Sequence, residues 1–299
     1  MPWEERSRTL QKWFQSDTSI TDPPLLKEYS TCRSFTIGGP KPITYSSVRT
    51  FYRPHPQADK LPSEPTALPL LVFIHGLGGS LSQFATLMTS LTKVAPCLGI
   101  DLPGCGLSKF APRAWEAYTT EALVRLVATV IQEHREASKK QGIVLLGHSM
   151  GCSMGALLAS SKSEFSDATS KYALGLIAIC PQASPPDEKK TRRFKQLLGI
   201  PGPIFELWRL WDKRGGTESA SVARHVGPGA DIETKKMQVK FNAQSRTPVF
   251  RRVAQGSLPD YSSDTAVGGL PGADVWAGLE VPVLLIGGEA DKVTPAEEL

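Results

Sequence analysis

The 299-residue chain has no apolar run approaching the roughly 20 residues that span a bilayer. Its longest runs, such as Leu70 to Ile74 and Leu176 to Cys180, have the length of buried strands. Cysteine is scarce and unpaired in pattern. The five (Cys32, Cys97, Cys105, Cys152, Cys180) are odd in number and lack CxxC spacing, which excludes a disulfide framework and a zinc site. Neither a metal nor a cofactor is expected. The opening residues, Met1-Pro2-Trp3-Glu4-Glu5-Arg6, contain no apolar core, so a signal peptide is not expected. Free thiols without an export signal point to a reducing, cytoplasmic compartment. A strong charge of one sign is missing too: 34 basic and 29 acidic residues leave +5, too little for a dedicated nucleic-acid binder. With 40% apolar and 21% charged residues, disorder and coiled coil are excluded as descriptions of the whole chain.

What is present is an alternation of strands and helices. Residues 1–30 form an arm in which Trp3, Leu10, Trp13 and Phe14 fall on one face of a short helix. Asp22-Pro23-Pro24 is expected to break it, and the arm is expected to pack on the body or touch a membrane surface. Two extended segments follow around Gly38-Gly39-Pro40. Then come apolar segments at Leu70 to Ile74, Val94 to Ile100, Ile143 to Leu146, Leu174 to Cys180 and Val281 to Ile286. Helix-length stretches at 80–93, 115–138 and 150–162 separate the first of these. Such alternation predicts an α/β fold with a mostly parallel, doubly wound sheet. The division expected is a core over 31–181, a helical insertion over 182–270 and a second core part over 271–299. The insertion is basic: residues 187–252 hold 15 Lys/Arg against seven Asp/Glu, a net +8, so the remainder is −3.

The chemistry-bearing segment is Ile143-Val144-Leu145-Leu146-Gly147-His148-Ser149-Met150-Gly151, a strand running into Gly-x-Ser-x-Gly and then a helix. At a strand-to-helix turn the serine backbone is strained; Gly147 and Gly151 remove side chains that would collide, leaving the Ser149 hydroxyl exposed. The helix N-terminus offers free N–H groups to developing negative charge. A second element, Ile74-His75-Gly76-Leu77-Gly78-Gly79, follows the first apolar strand and can aim backbone N–H groups at an oxyanion. A third is the turn Asp101-Leu102-Pro103-Gly104-Cys105-Gly106-Leu107-Ser108.

With these three motifs in order, the chain from about residue 45 onward resembles the serine hydrolases of the α/β-hydrolase superfamily. The resemblance implies that Ser149 is the nucleophile and that the N–H groups of Leu77 and Met150 form the oxyanion hole. Gly147, His148, Gly151, His75, Gly76 and Gly78 support the elbow and loop. The acid would be Asp291, in preference to its neighbour Glu289, and the insertion would be the cap. The implied substrate is a small-molecule ester or acyl compound. Acyl transfer and carbon–carbon bond hydrolysis use the same residues and stay open. So does a non-catalytic, hydrolase-fold binding protein.

The base is missing from its expected place. None of His55, His75, His134, His148 and His225 follows Asp291, although this family runs in the order Ser, acid, His. Thr294-Pro295-Ala296-Glu297 carries the signature of a helix start just before Leu299. The chain is therefore expected to be a fragment lacking the last strand, a helix and the base. His75 and His148 are expected to be structural, His134 solvated, and His225 the one histidine of the cap. Cys152 is expected to pack, and Cys105 to be an accessible thiol. In the cap, Ile204, Leu207, Trp208 and Trp211 share one helical face, expected to pack on the body; alternatively Phe205, Trp208 and Trp211 line an acyl pocket. A nucleic-acid partner is not expected.

Overall fold

The computed structural model describes residues 22–39, 41–61, 67–182, 184–227, 229–262, 268–291 and 293–295. The arm's expected helix, with Trp3, Leu10, Trp13 and Phe14, lies outside these residues. The described chain forms a seven-stranded sheet in the order β1-β2-β4-β3-β5-β6-β7. The strands are β1 Ser30–Ile37, β2 Ile43–Arg53, β3 Leu70–Ile74, β4 Cys97–Ile100, β5 Ile143–His148, β6 Ala173–Ile179 and β7 Val283–Ile286. β1, β2 and β4 pair antiparallel in that order, whereas β4, β3, β5, β6 and β7 pair parallel.

β3 is buried at every position, as its unbroken apolar run requires of a strand covered on both faces. Its side chains alternate between two cores. Leu70, Val72 and Ile74 join a cluster with Leu123, Val127 and Met154; Leu71 and Phe73 join Leu81, Phe84 and Met88 on the other face. The helices supplying these layers are α1 Pro24–Glu28, α2 Ala85–Leu91, α3 Thr120–His134 and α4 Met150–Ala159, followed by the single-turn α5 Ser166–Thr169. Pro24 occupies the first turn of α1, where proline's missing N–H is harmless, and Leu26 is buried; the helix that Asp22-Pro23-Pro24 is expected to break lies outside the described residues.

Registry lines up the strand ends. Ile74 pairs with Ile100 and with Gly147, His148 with Ile179, and Ile179 with Ile286. The loops after β3, β4, β5, β6 and β7 therefore leave the sheet along one edge. Between β6 and β7 run α6 Glu188–Leu198, α7 Gly202–Asp212, α8 Ala220–His225, α9 Ile232–Gln244, α10 Thr247–Gly256 and α11 Ala273–Ala277. α10 seats this insertion on the core through Val249 and Val253. β7 is the sheet's edge strand and its four residues are exposed.

The apolar stripe of α7 corrects the sequence expectation. Ile204, Leu207, Trp208 and Trp211 are not packed away against the body; they are 57%, 66%, 44% and 68% exposed. Phe205, between them in sequence, is the residue that α7 buries, at 1% exposure, with Leu198 and Ala254.

Candidate active site

Ser149 stands between the last residue of β5 and the first of α4 with φ 53° and ψ −124°. A residue bearing a Cβ adopts this backbone only under constraint. The constraint is visible on both sides. The Ser149 N–H donates to the Ile179 carbonyl (2.9 Å), and the Ser149 carbonyl accepts from Cys152 N–H (2.8 Å). A Cβ on Gly147 would lie 2.5 Å from the Cys152 backbone, and one on Gly151 would lie 2.1 Å from the Ile74 carbonyl oxygen. The Ser149 hydroxyl makes no cap hydrogen bond to α4, so an ordinary capping role does not account for it.

The loop after β3 lies directly against this turn. A Cβ on Gly76 would sit 2.9 Å from Ser149 Cβ and 3.4 Å from its Oγ. Among the described residues, the N–H groups of Leu77 and Met150 have no acceptor. One follows Gly76 and the other follows Ser149, so two free donors stand next to the hydroxyl. Gly78, at φ 68°, carries the loop under the insertion, where a Cβ would be 2.6 Å from Ser245 Oγ. His75 is fully buried and saturated: Nδ1–H donates to the Gly76 carbonyl (2.8 Å), and Nε2 accepts from Leu102 N–H (2.9 Å). Burial lowers its pKa, so the ring is a neutral brace.

The turn after β4 is held by Asp101. Its Oδ1 accepts from Leu81 N–H (2.7 Å), and its Oδ2 accepts from Leu107 N–H (3.0 Å) and the Arg49 guanidinium (3.2 Å). Arg49 also pairs with Asp22 at 2.7 Å, both side chains buried. Cys105 in this turn is buried and its thiol is pushed up to about 12, so it is not the accessible thiol expected. Cys152 packs in the core as α4 requires.

Asp291 follows β7. Its Oδ1 accepts from the N–H groups of Val293 (2.8 Å) and Thr294 (3.1 Å), and its Oδ2 from Thr294 Oγ1 (2.8 Å). Thr294 Oγ1 thus donates to Asp291; the helix start expected at 294–297 runs into residues 296–299, which lie outside the described chain. Burial raises the Asp291 pKa, but the donors outweigh it and hold the carboxyl below its ordinary value. One further donor is Cys180, a residue that sequence reasoning passed over. Cys180 follows β6 with φ 51°, and no glycine marks that turn. Glu289, the rival acid, is exposed on the same loop.

The histidines do not complete a proton relay among the described residues. His148 is half-buried, and its Nδ1 is buried without a partner. Burial lowers its pKa, opposed by the charge of Asp291. His134 is not solvated as expected; it packs against Tyr52 with ring centroids 5.3 Å apart, and its Nδ1–H donates to the Val130 carbonyl. His55 binds the Lys93 carbonyl beyond the Arg53–Cys97 pairing, at the other end of the strands from Ser149, and His225 is exposed with Nδ1–H on the Ser221 carbonyl. No group of acidic, histidine or cysteine side chains among the described residues has metal-binding geometry.

Residues 242–247, a polar run at the end of α9 and the start of α10, hold the insertion together and to the core. Arg209 of α7 donates to Thr247 Oγ1 (2.8 Å) and Ser245 Oγ (2.9 Å) and lies over the Phe250 ring. Arg246 donates to the carbonyls of Gly104 and Ser108. The Arg209 bonds tie α7 to this cluster within the insertion, and Arg246 fastens the insertion to the glycine-rich turn after β4.

Residues 69–299 match the family model described as alpha/beta hydrolase fold. The chain belongs to this family. An abhydrolase domain-containing protein of Schizosaccharomyces pombe is 28% identical over 195 residues, 62% of this chain and 51% of that protein. Lipid droplet hydrolase 1 of Saccharomyces cerevisiae is 26% identical over 255 residues, 77% of this chain and 64% of that protein. The matches thus span about half to two thirds of these curated relatives. Among solved structures, the enol-lactonase from Burkholderia xenovorans LB400 superposes with TM-score 0.59 at 18% identity, covering 84% of this chain and 82% of that one. A thermophilic esterase from Thermogutta terrifontis gives 0.56 at 18% identity, covering 90% and 84%. At such identities these two structures establish the fold. This hydrolase-family sheet carries Ser149 at the turn after β5. No helix among the described residues is long and apolar enough to cross a membrane.

Proposed function

We propose that the chain carries the nucleophile, oxyanion donors and acid of a serine hydrolase that cleaves a carboxylic ester or related acyl bond. The observation that carries this reading is Ser149: a strained, uncapped serine beside the free N–H groups of Leu77 and Met150. In the proposed reaction its Oγ attacks the acyl carbonyl, forming a C–O bond while the alcohol leaves. The two N–H groups hold the oxyanion. Water then hydrolyses the acyl-enzyme. Asp291, kept ionised by its donors, would orient a histidine base. None of the five histidines hydrogen-bonds Ser149 among the described residues, so the base is proposed to come from outside these 299 residues. The names hydrolase and esterase borne by the relatives fit an acyl-cleaving reaction.

Loss of the histidine from such a triad costs on the order of a million-fold in turnover. The 299-residue chain alone is therefore expected to hydrolyse p-nitrophenyl acetate negligibly. Added imidazole should restore part of the missing base function, raising turnover roughly tenfold above Ser149→Ala under the same conditions. Equal imidazole-dependent rates in both proteins would instead favour a non-catalytic, hydrolase-fold binding protein, the reading that the missing base also motivates. Full turnover without imidazole would place the base within the chain.

A further inference from the structure

The outward face of α7 is the largest feature that the proposed reaction does not use. Ile204, Leu207, Trp208 and Trp211 recur at the spacing of one helical face, and all are 44% or more exposed. Leu210 of α7 (45%) and Phe194 of α6 (40%) are exposed apolar side chains as well. A stripe of this kind normally faces a core, and exposed apolar patches rimmed by polar groups mark interaction sites. Here the core-facing side of the same helix is already occupied. Phe205 and Arg209 pack inward against Phe250, and Phe205 belongs to a cluster that also touches Leu77.

The surroundings of the patch select its partner. On the N-terminal side, α6 exposes Lys189, Lys190, Arg192, Arg193 and Lys195; on the C-terminal side, Arg214 is exposed. Residues 187–252 as a whole carry +8. A second copy of the chain would bring two such cationic surfaces together, which like-charge repulsion opposes. A face with exposed Trp, Leu and Ile between exposed Lys and Arg matches instead the boundary between anionic headgroups and acyl chains. Tryptophan favours that boundary, and basic side chains are drawn to the negative surface.

We propose that α7 docks the protein on an anionic phospholipid surface, with Leu207, Trp208 and Trp211 entering the headgroup region and α6 supplying the cationic flank. The docking face is the outer side of a helix whose inner side meets the Leu77 loop, so the lipid would lie about one helix diameter, ~10 Å, from that loop. Docking rests on this face and charge, not on Ser149, so the two readings fail separately.

The test is co-sedimentation of the 299-residue chain with sucrose-loaded vesicles of phosphatidylcholine, with and without 30 mol% phosphatidylserine. Binding to the anionic vesicles is expected to exceed that to phosphatidylcholine by roughly tenfold or more, to weaken in 0.5 M NaCl and to shift tryptophan emission to the blue. The double variant Leu207→Ser/Trp211→Ser alters only exposed positions and should unfold at an unchanged temperature while losing roughly tenfold or more of the binding. No binding to anionic vesicles would overturn the proposal, as would undiminished binding by the double variant. A concentration-dependent dimer that the double variant abolishes, without vesicle binding, would overturn it in favour of a second copy as the occupant.

Discussion

Ser149 adopts φ 53° and ψ −124°, a backbone that costs a residue with a Cβ about 1–3 kcal/mol. Function, not stability, accounts for a serine there. Ser149→Gly is expected to raise the free energy of unfolding by about 1 kcal/mol in urea denaturation, because glycine relieves the strain. The same variant should lose all imidazole-dependent ester turnover; a destabilised Ser149→Gly would contradict the strain. This residue was legible in the sequence because a Cβ at 147 or 151 would collide with backbone, so both positions are glycine and frame the serine in the pattern. Cys180 was not legible. It too has a positive φ, but a non-glycine residue there leaves no mark, and its contact with Asp291 joins loops after different strands. The thiol of Cys105 was misjudged because a glycine-rich turn looks open in sequence. In the fold, the insertion covers it, with Val249 against Gly104 and Arg246 on the Gly104 carbonyl.

At the level of elements, Arg49 joins β2 to the turn after β4 and to Asp22, two residues before α1. It is fully buried between Asp22 and Asp101. Burial pushes the Asp22 carboxyl up even with Arg49 beside it, so the cluster is costly to assemble and costlier to break. Arg49→Met leaves two buried carboxyls without their counter-charge and is expected to lower stability by about 3–5 kcal/mol in chemical denaturation. A loss below about 1 kcal/mol would show that the acids relax to solvent. The strands were legible as apolar runs, and β3 shows why: parallel strands covered on both faces need no polar alternation. The outward stripe of α7 was misread for a related reason. Helical periodicity identifies an apolar face but does not say what covers it, and Phe205, off that face, is the residue that packs.

For the whole molecule, two apolar cores sandwich a sheet whose strand ends deliver Gly76, Ser149, Cys180 and Asp291 to one edge. His75, His134 and His148 are each held with a lowered pKa, chiefly by burial. In the unfolded chain they titrate near 6.5 and bind protons that the folded chain refuses. Stability is therefore expected to fall as pH drops from about 7 through 6.5 toward 5, seen as a decreasing unfolding temperature. A rise over that range would contradict buried neutral rings. Covalent labelling asks whether Ser149 is the nucleophile. The chain is incubated with a fluorophosphonate probe and imidazole, and the adduct is located by peptide mass spectrometry. Phosphonylation of Ser149 that disappears in Ser149→Ala is expected. A folded chain left unlabelled at Ser149, or labelled equally in the variant, would contradict it.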